Sequence, residues 1–176
     1  PDYQRGYRWT CLEVEKLLGD LEDFYNVNTD GSTFYCMQPL VVFFNKEQDA
    51  WEVIDGQQRL TTMYLILNQQ KGLLEQIYPD MKLFNLSYQS RPDSRQYLEN
   101  IDSTKSNSNI DYYHMFNASA VITDFLKKTT LGGWRFVDAI VNANNMESRP
   151  SVKFIWYNVT EEIESKHISP EEKFPT

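Results

Sequence analysis

A strand, a tight turn and a helix follow one another without a linker in Val53–Thr62, the stretch that most constrains this chain. Gly56 permits the turn after Asp55, and the helix begins immediately behind two glutamines and Arg59. The start of a helix presents unpaired backbone N–H groups and the positive end of the helix dipole. Since a guanidinium adds a forked charge suited to phosphate oxygens, the stretch predicts phosphate binding.

Other polar residues of this stretch are candidates for the same site. Asp55 is placed to hold Mg²⁺ or to orient a water molecule. Gln57 and Gln58 are candidate contacts to phosphate or base, and the hydroxyls of Thr61 and Thr62 lie close to the helix start. These groups have the chemistry of a nucleotide site.

The same residues also have a structural interpretation. Asp55 then caps the helix, Gly56 makes the turn, and Arg59 pairs with a surface carboxylate. The residues by themselves leave both interpretations open.

The hydrophobic pattern predicts an α/β (α+β) fold with several helices and a small mixed or antiparallel sheet. Pro39 predicts an edge or a bulge in the first strand. Helices are predicted at 12–25, 59–78, 93–101, 111–128 and 134–143, and strands at 33–44, 51–54, 82–88 and 152–159. We expect 1–80 to form the core and 81–176 a mostly helical extension with a returning strand, within one domain.

Composition restricts the class of protein. The 176 residues are 41% hydrophobic and 14% aromatic, which favours a globular chain over a disordered one. The net charge of −8 argues against a broad nucleic-acid-binding surface. No apolar run reaches the roughly 20 residues of a membrane span, and Cys11 and Cys36 lack C-x-x-C spacing, so we expect a cytoplasmic protein. Because the chain opens at Pro1 rather than Met, we expect a fragment of a longer protein.

Two motifs together resemble the GmrSD restriction endonuclease N-terminal domain family (domain of unknown function 262). They are P-D-Y-Q-R-G-Y-R-W at residues 1–9 and D-G-Q-Q-R-L-T-T at residues 55–62. Weaker similarity at residues 86–88, 109–113 and 152–157 extends the resemblance over most of the chain. The chain departs from the family pattern in stopping before an F-x-x-L-N-x-G-K segment.

This resemblance implies a ParB/sulfiredoxin-like core in which the D-G-Q-Q-R turn binds a nucleoside triphosphate and supports its Mg²⁺-dependent hydrolysis. By motif match, the residues in catalytic roles are Asp55, Gln57, Gln58 and Arg59, with Asp55 as the Mg²⁺ ligand. The implied nucleotide-binding residues are Tyr3, Gln4, Arg5, Gly56, Arg59, Thr61 and Thr62.

The resemblance further implies a bacterial restriction or anti-phage defence protein that acts on modified DNA. In it, the NTPase domain would regulate a nuclease located elsewhere in the polypeptide or in a partner subunit, with DNA as an indirect partner. The alternative is a non-catalytic module whose site senses a nucleotide or a DNA phosphate without hydrolysis. The sequence leaves open which nucleotide binds and whether the protein forms homo-oligomers.

Overall fold

The computed structural model of the chain describes residues 6–88, 92–141 and 150–166. These residues form seven α-helices, one 3₁₀ turn and three β-strands. In chain order they are α1 (Cys11–Val27), β1 (Phe34–Asn45), β2 (Ala50–Asp55), α2 (Gln57–Asn68), α3 (Lys71–Ile77), α4 (Asp93–Glu99), the 3₁₀ turn (Ser103–Lys105), α5 (Ile110–Lys128), α6 (Gly133–Val141), β3 (Ser151–Asn158) and α7 (Thr160–Lys166).

The three strands form one mixed sheet in the order β2-β1-β3. The hairpin partners β1 and β2 are antiparallel, whereas β3 lies parallel to β1. Parallel strands need a long crossover, and here the helices between β2 and β3 provide it. The predicted α/β class with a small mixed sheet is therefore confirmed, while the closer likeness to ParB and sulfiredoxin stays a prediction.

A bulge interrupts β1 at Pro39. Met37 pairs with Phe154 and Leu40 with Trp156, so three steps along β1 match two along β3. Proline has no backbone N–H to contribute to a strand ladder, which explains why the extra residue falls here. The irregularity predicted from Pro39 is confirmed. The bulge lies beside the end of β2.

The hydrophobic core lies between the helices and one end of the sheet. Val14 and Leu18 of α1 and Met115 and Ile122 of α5 are completely buried, and these two helices pack against each other. The Phe24 and Tyr35 rings meet at a centroid distance of 5.6 Å and join α1 to the start of β1. The amphipathic pattern predicted for these helices is thus matched by their packing.

Two predicted elements differ from the structure. The helix predicted at 59–78 is divided into α2 and α3, and the side-chain amide of Gln69 at the division donates to Ser119 Oγ at 2.7 Å. The strand predicted at 82–88 is wrong, because 81–87 has no regular structure and Tyr88 forms a single bridge. Leu83 and Leu86 of this segment pack against the core without a paired strand, so their apolar character reflects burial.

The charged segment after β3, for which the sequence predicted no element, begins with helix α7. Thr160 explains its position, because the hydroxyl oxygen accepts a hydrogen bond from the Phe44 N–H at 2.8 Å. Ile163 is buried, and α7 contacts β1. Among the described residues, the helices are too short or too polar to traverse a lipid bilayer.

Glu22 joins α1 to the connection between α5 and α6. Its Oε1 accepts hydrogen bonds from Thr129 Oγ1 at 2.5 Å, from the Thr130 N–H at 2.8 Å and from Thr130 Oγ1 at 3.0 Å. The hydrogen bond from the Thr129 hydroxyl is the main cause that holds the pKa of Glu22 below its ordinary value. The carboxylate form is therefore favoured by folding.

We expect Glu22→Gln to lower the free energy of unfolding by about 1 kcal/mol at neutral pH, since it replaces a charged acceptor near solvent. A carboxyl whose pKa is lowered by folding stabilises above its unfolded pKa, and this stabilisation is lost as pH falls through the folded pKa. Urea unfolding from pH 7 to about pH 3 should show the variant and the wild type converging. Glu15→Gln, at an exposed position of α1, is the control, and an equal loss in both variants would contradict the prediction.

Candidate functional site

The turn between β2 and α2 is packed directly against the β1 bulge. Gly56 has a φ of 91°, in the left-handed region that side chains rarely adopt. A Cβ atom there would lie 2.5 Å from Leu40 Cδ2 and 3.1 Å from the Pro39 carbonyl oxygen. The backbone conformation therefore favours glycine, and a Cβ atom would additionally require the Leu40 side chain and the Pro39 carbonyl to shift.

The first turn of α2 opens beside an exposed carboxylate. Gly56 provides no side chain to cap the helix, and the first helical hydrogen bond runs from the Leu60 N–H to the Gly56 carbonyl oxygen. The preceding amides have no partner within the helix and carry the positive end of its dipole. The side chain of Asp55, one residue before the turn, is 73% exposed. A carboxylate and a set of amide donors thus flank the same glycine.

Arg59 is anchored to the β1 bulge. Its guanidinium donates to Gln38 Oε1 at 2.6 Å and to the Pro39 carbonyl oxygen at 3.0 Å. The Asp55 carboxylate lies 3.9 Å from the same guanidinium, and the Arg59 side chain is 19% exposed. Both hydrogen-bond acceptors are neutral, so they do not cancel the positive charge that Arg59 brings to the turn.

The two glutamines of the motif have different neighbours. Gln57 Nε2 donates to the Val53 carbonyl oxygen at 2.8 Å and ties the start of α2 to β2. Gln58 turns towards the segment before α1: its Oε1 accepts from the Arg8 N–H at 2.7 Å, and its Nε2 donates to the Gly6 carbonyl oxygen at 3.0 Å. The structure therefore places Gln58 between α2 and the N-terminal segment.

The hydroxyls of Thr61 and Thr62 are buried. Thr61 Oγ1 lies 2.6 Å from the Tyr88 hydroxyl, and Thr62 Oγ1 lies 2.9 Å from the Tyr7 hydroxyl. Burial raises the pKa of Tyr7 far above its ordinary value, so this hydroxyl stays neutral. The sequence predicted both threonines near a nucleotide. In the structure their hydroxyls lie where α2 packs against Tyr7 and Tyr88.

An ion pair between Arg8 and Asp111 was not among the predicted site residues. The Arg8 guanidinium contacts the Asp111 carboxylate and also donates to the Tyr7 carbonyl oxygen at 2.8 Å. Asp111 is only 1% exposed. It stands four residues before the buried Met115 on the apolar stripe of α5, a spacing from which its burial was predictable. No signal in the sequence indicated that Arg8, 103 positions away, would be its partner.

The remaining predicted residues of the N-terminal motif, Tyr3, Gln4 and Arg5, lie outside the described residues. The structure thus brings together Asp55, Gly56 and Arg59 around one turn and adds Gln57 and Gln58 as its supports. Their assignment to a ligand stays a prediction.

A groove of about 410 Å³ lies elsewhere, between α2 and α5. Leu65, Gln69 and Phe116 contribute to its walls together with Ser119 and Thr123. Because none of the turn residues lines it, this groove and the Gly56 turn are separate features.

Within the described ranges, no group of three or more His, Cys, Asp or Glu side chains is arranged to hold a metal ion. Mg²⁺ differs from structural metals in this respect, because it commonly binds through one or two carboxylates together with substrate phosphates and water. The exposed Asp55 carboxylate, set beside amide donors for phosphate, has this chemistry.

Comparison with known proteins identifies the family. The family model described as GmrSD restriction endonuclease, N-terminal domain, matches residues 1–172. The chain belongs to this family. A search of curated proteins and a search of solved structures found no match. As a GmrSD N-terminal domain, the chain is a restriction-related domain whose family match includes both the turn and the segment before α1.

Substituting Gly56 tests the packing of the turn. Gly56→Ala should lower the free energy of unfolding by about 3 kcal/mol, since it combines a disfavoured φ with a clash against Leu40 and Pro39. Gly19→Ala is the matched control because α1 has open space at that position. The control should raise stability by about 0.5–1 kcal/mol, and both values come from urea unfolding. Equal effects of the two substitutions would contradict the tight packing of the turn.

Proposed function

We propose that this GmrSD N-terminal domain binds a nucleoside triphosphate at the Gly56 turn and hydrolyses it with Mg²⁺. The observation that carries the proposal is the uncapped start of α2 beside the exposed carboxylate of Asp55. The family match, which covers the whole D-G-Q-Q-R motif, supports the same site. The restriction-endonuclease family also supports a regulatory role in which the nucleotide controls a nuclease in the same polypeptide or in a partner subunit.

The phosphate side of the proposal rests on the first turn of α2. The amides without partners in the helix and the helix dipole favour a bound anion. The Arg59 guanidinium adds a positive charge that, among the described residues, the Asp55 carboxylate at 3.9 Å partly offsets. The predicted contacts from Tyr3, Gln4 and Arg5 belong to the proposal through the family motif.

The metal side of the proposal rests on Asp55. Its side chain is 73% exposed and is near the guanidinium of Arg59 without a short contact to it, so the carboxylate is accessible to a cation. When bound, Mg²⁺ would offset the charge of the phosphates and polarise them. Gln57, which is held against β2, keeps the backbone of the first turn in place.

The biological setting follows from the family and is part of the proposal. A restriction or anti-phage protein that recognises modified DNA would meet DNA through other parts of the protein, since this chain carries a net charge of −8. We propose a cytoplasmic location for such a protein.

The first test measures thermal unfolding with each of the four ribonucleoside triphosphates and Mg²⁺, for wild type and for Asp55→Ala. A ligand at 100 times its dissociation constant stabilises by about 2.7 kcal/mol. If Asp55→Ala weakens binding tenfold, the stabilisation falls to about 1.4 kcal/mol. The difference between the two proteins should disappear when EDTA removes Mg²⁺, because only metal-assisted binding requires the carboxylate.

Asp23→Ala is the matched control, since it removes an exposed carboxylate from α1. It should keep the full nucleotide-dependent stabilisation. No stabilisation of the wild-type protein by any of the four nucleotides would contradict nucleotide binding at the turn.

A second measurement separates hydrolysis from binding. We expect Mg²⁺-dependent release of inorganic phosphate by wild type and its loss in Asp55→Ala. Nucleotide binding without phosphate release would favour the non-catalytic sensing module instead.

A further inference from the structure

The segment Gly6–Trp9 has no helix or strand of its own, yet it is held against the fold at several points. Backbone groups in such a segment need hydrogen-bond partners outside regular structure. Gln58 supplies three of them: it accepts from the N–H groups of Arg8 at 2.7 Å and Trp9 at 3.3 Å, and donates to the Gly6 carbonyl oxygen at 3.0 Å. One side-chain amide thus uses both of its ends on the backbone of this segment.

Two further contacts fix the same segment. The hydroxyl of Tyr7, a completely buried residue, lies 2.9 Å from Thr62 Oγ1 one turn further along α2. The guanidinium of Arg8 pairs with the buried carboxylate of Asp111 at the start of α5. The segment is therefore held from two helices, α2 and α5, by side chains that are distant in sequence.

These contacts change the role assigned to Gln58. A side-chain amide has one oxygen and one NH₂ group, and here both are engaged with protein backbone. The oxygen accepts two hydrogen bonds and one N–H of Nε2 donates, so a direct contact with phosphate would use the second N–H of Nε2 or replace one of these hydrogen bonds. Gln58 is nevertheless the second residue of α2, so the segment it holds lies beside the turn that the proposed function assigns to the nucleotide.

We propose that Gln58 and Asp111 are positioning residues that hold Gly6–Trp9 against the first turn of α2, and that nucleotide affinity at the Gly56 turn depends on them through this segment. The second half of this inference rests on the proposed function. The first half concerns the fold alone and is testable without a ligand.

Hydrogen exchange tests the first half. The Arg8 and Trp9 amides should exchange slowly in the wild-type protein, because Gln58 Oε1 accepts from both. Gln58→Met has nearly the same shape and lacks the amide, so exchange at Arg8 and Trp9 should accelerate at least tenfold by NMR, while the amides within α5 stay protected. Gln58→Glu keeps the acceptor oxygen and should restore much of the protection.

Gln69→Met, directly after the C-terminal end of α2, is the matched control. Gln69 Nε2 donates to Ser119 Oγ at 2.7 Å, so this variant removes a side-chain hydrogen bond to α5. It leaves the segment Gly6–Trp9 untouched. Its exchange at Arg8 and Trp9 should equal that of the wild type. Unchanged exchange at both amides in Gln58→Met would overturn the positioning role.

Nucleotide affinity tests the second half. Using Mg²⁺ with the nucleotide that stabilises the wild-type protein most, we expect Gln58→Met and Asp111→Asn each to raise the dissociation constant about tenfold, a change of about 1.4 kcal/mol. Because both act through one segment, the double variant should also show about tenfold rather than hundredfold weakening. Multiplied effects would indicate that Gln58 contacts the ligand directly and would overturn the proposal.

Tyr7→Phe replaces Asp111→Asn in this comparison if the buried aspartate proves necessary for folding. It removes only the hydroxyl that meets Thr62. The two proposals fail in distinguishable ways. A wild-type protein that binds none of the four nucleotides refutes the proposed function and the affinity half of the inference, while slow exchange that depends on Gln58 still supports the positioning half.

Discussion

The contact between Gly56 and the β1 bulge is the constraint on which the rest of the site depends. Leu40 and the Pro39 carbonyl approach the turn so closely that both would have to shift to admit a Cβ atom. The same bulge presents the acceptors that hold the Arg59 guanidinium. One irregularity in a strand therefore contacts both the turn and the arginine of the motif.

The first turn of α2 connects three parts of the protein. On one side Gln57 ties it to β2, and on the other Gln58 ties it to the segment before α1. The buried threonines that follow extend this attachment to Tyr7 and Tyr88. Most polar side chains of the D-G-Q-Q-R-L-T-T motif thus make hydrogen bonds within the protein, whereas the side chain of Asp55 remains mostly in solvent. The site combines a rigid support with one accessible carboxylate.

Much of the fold was predictable because its signals are local. The amphipathic patterns of α1 and α5, the hairpin of β1 and β2, the bulge at Pro39 and the strand–turn–helix at Gly56 all lie within short stretches of sequence. The strand predicted at 82–88 failed because apolar residues can be buried in an irregular segment as well as in a sheet. Helix α7 was missed although its start has local signals, since Asn158 Oδ1 accepts from the Thr160 N–H at 3.0 Å and Glu161 and Glu162 lie in the first turn.

The sequence by itself determined the family, the α/β class and the turn at which Asp55, Gly56 and Arg59 meet, since these follow from contiguous motifs and short-range periodicity. Only the tertiary structure decided which of the polar motif residues face solvent and which face the protein. Gln58 reaches a backbone 50 residues away, and Asp111 pairs with an arginine 103 residues away. Side-chain partners at such separations are fixed by the packing of helices and sheet, a property that no local pattern in the chain encodes.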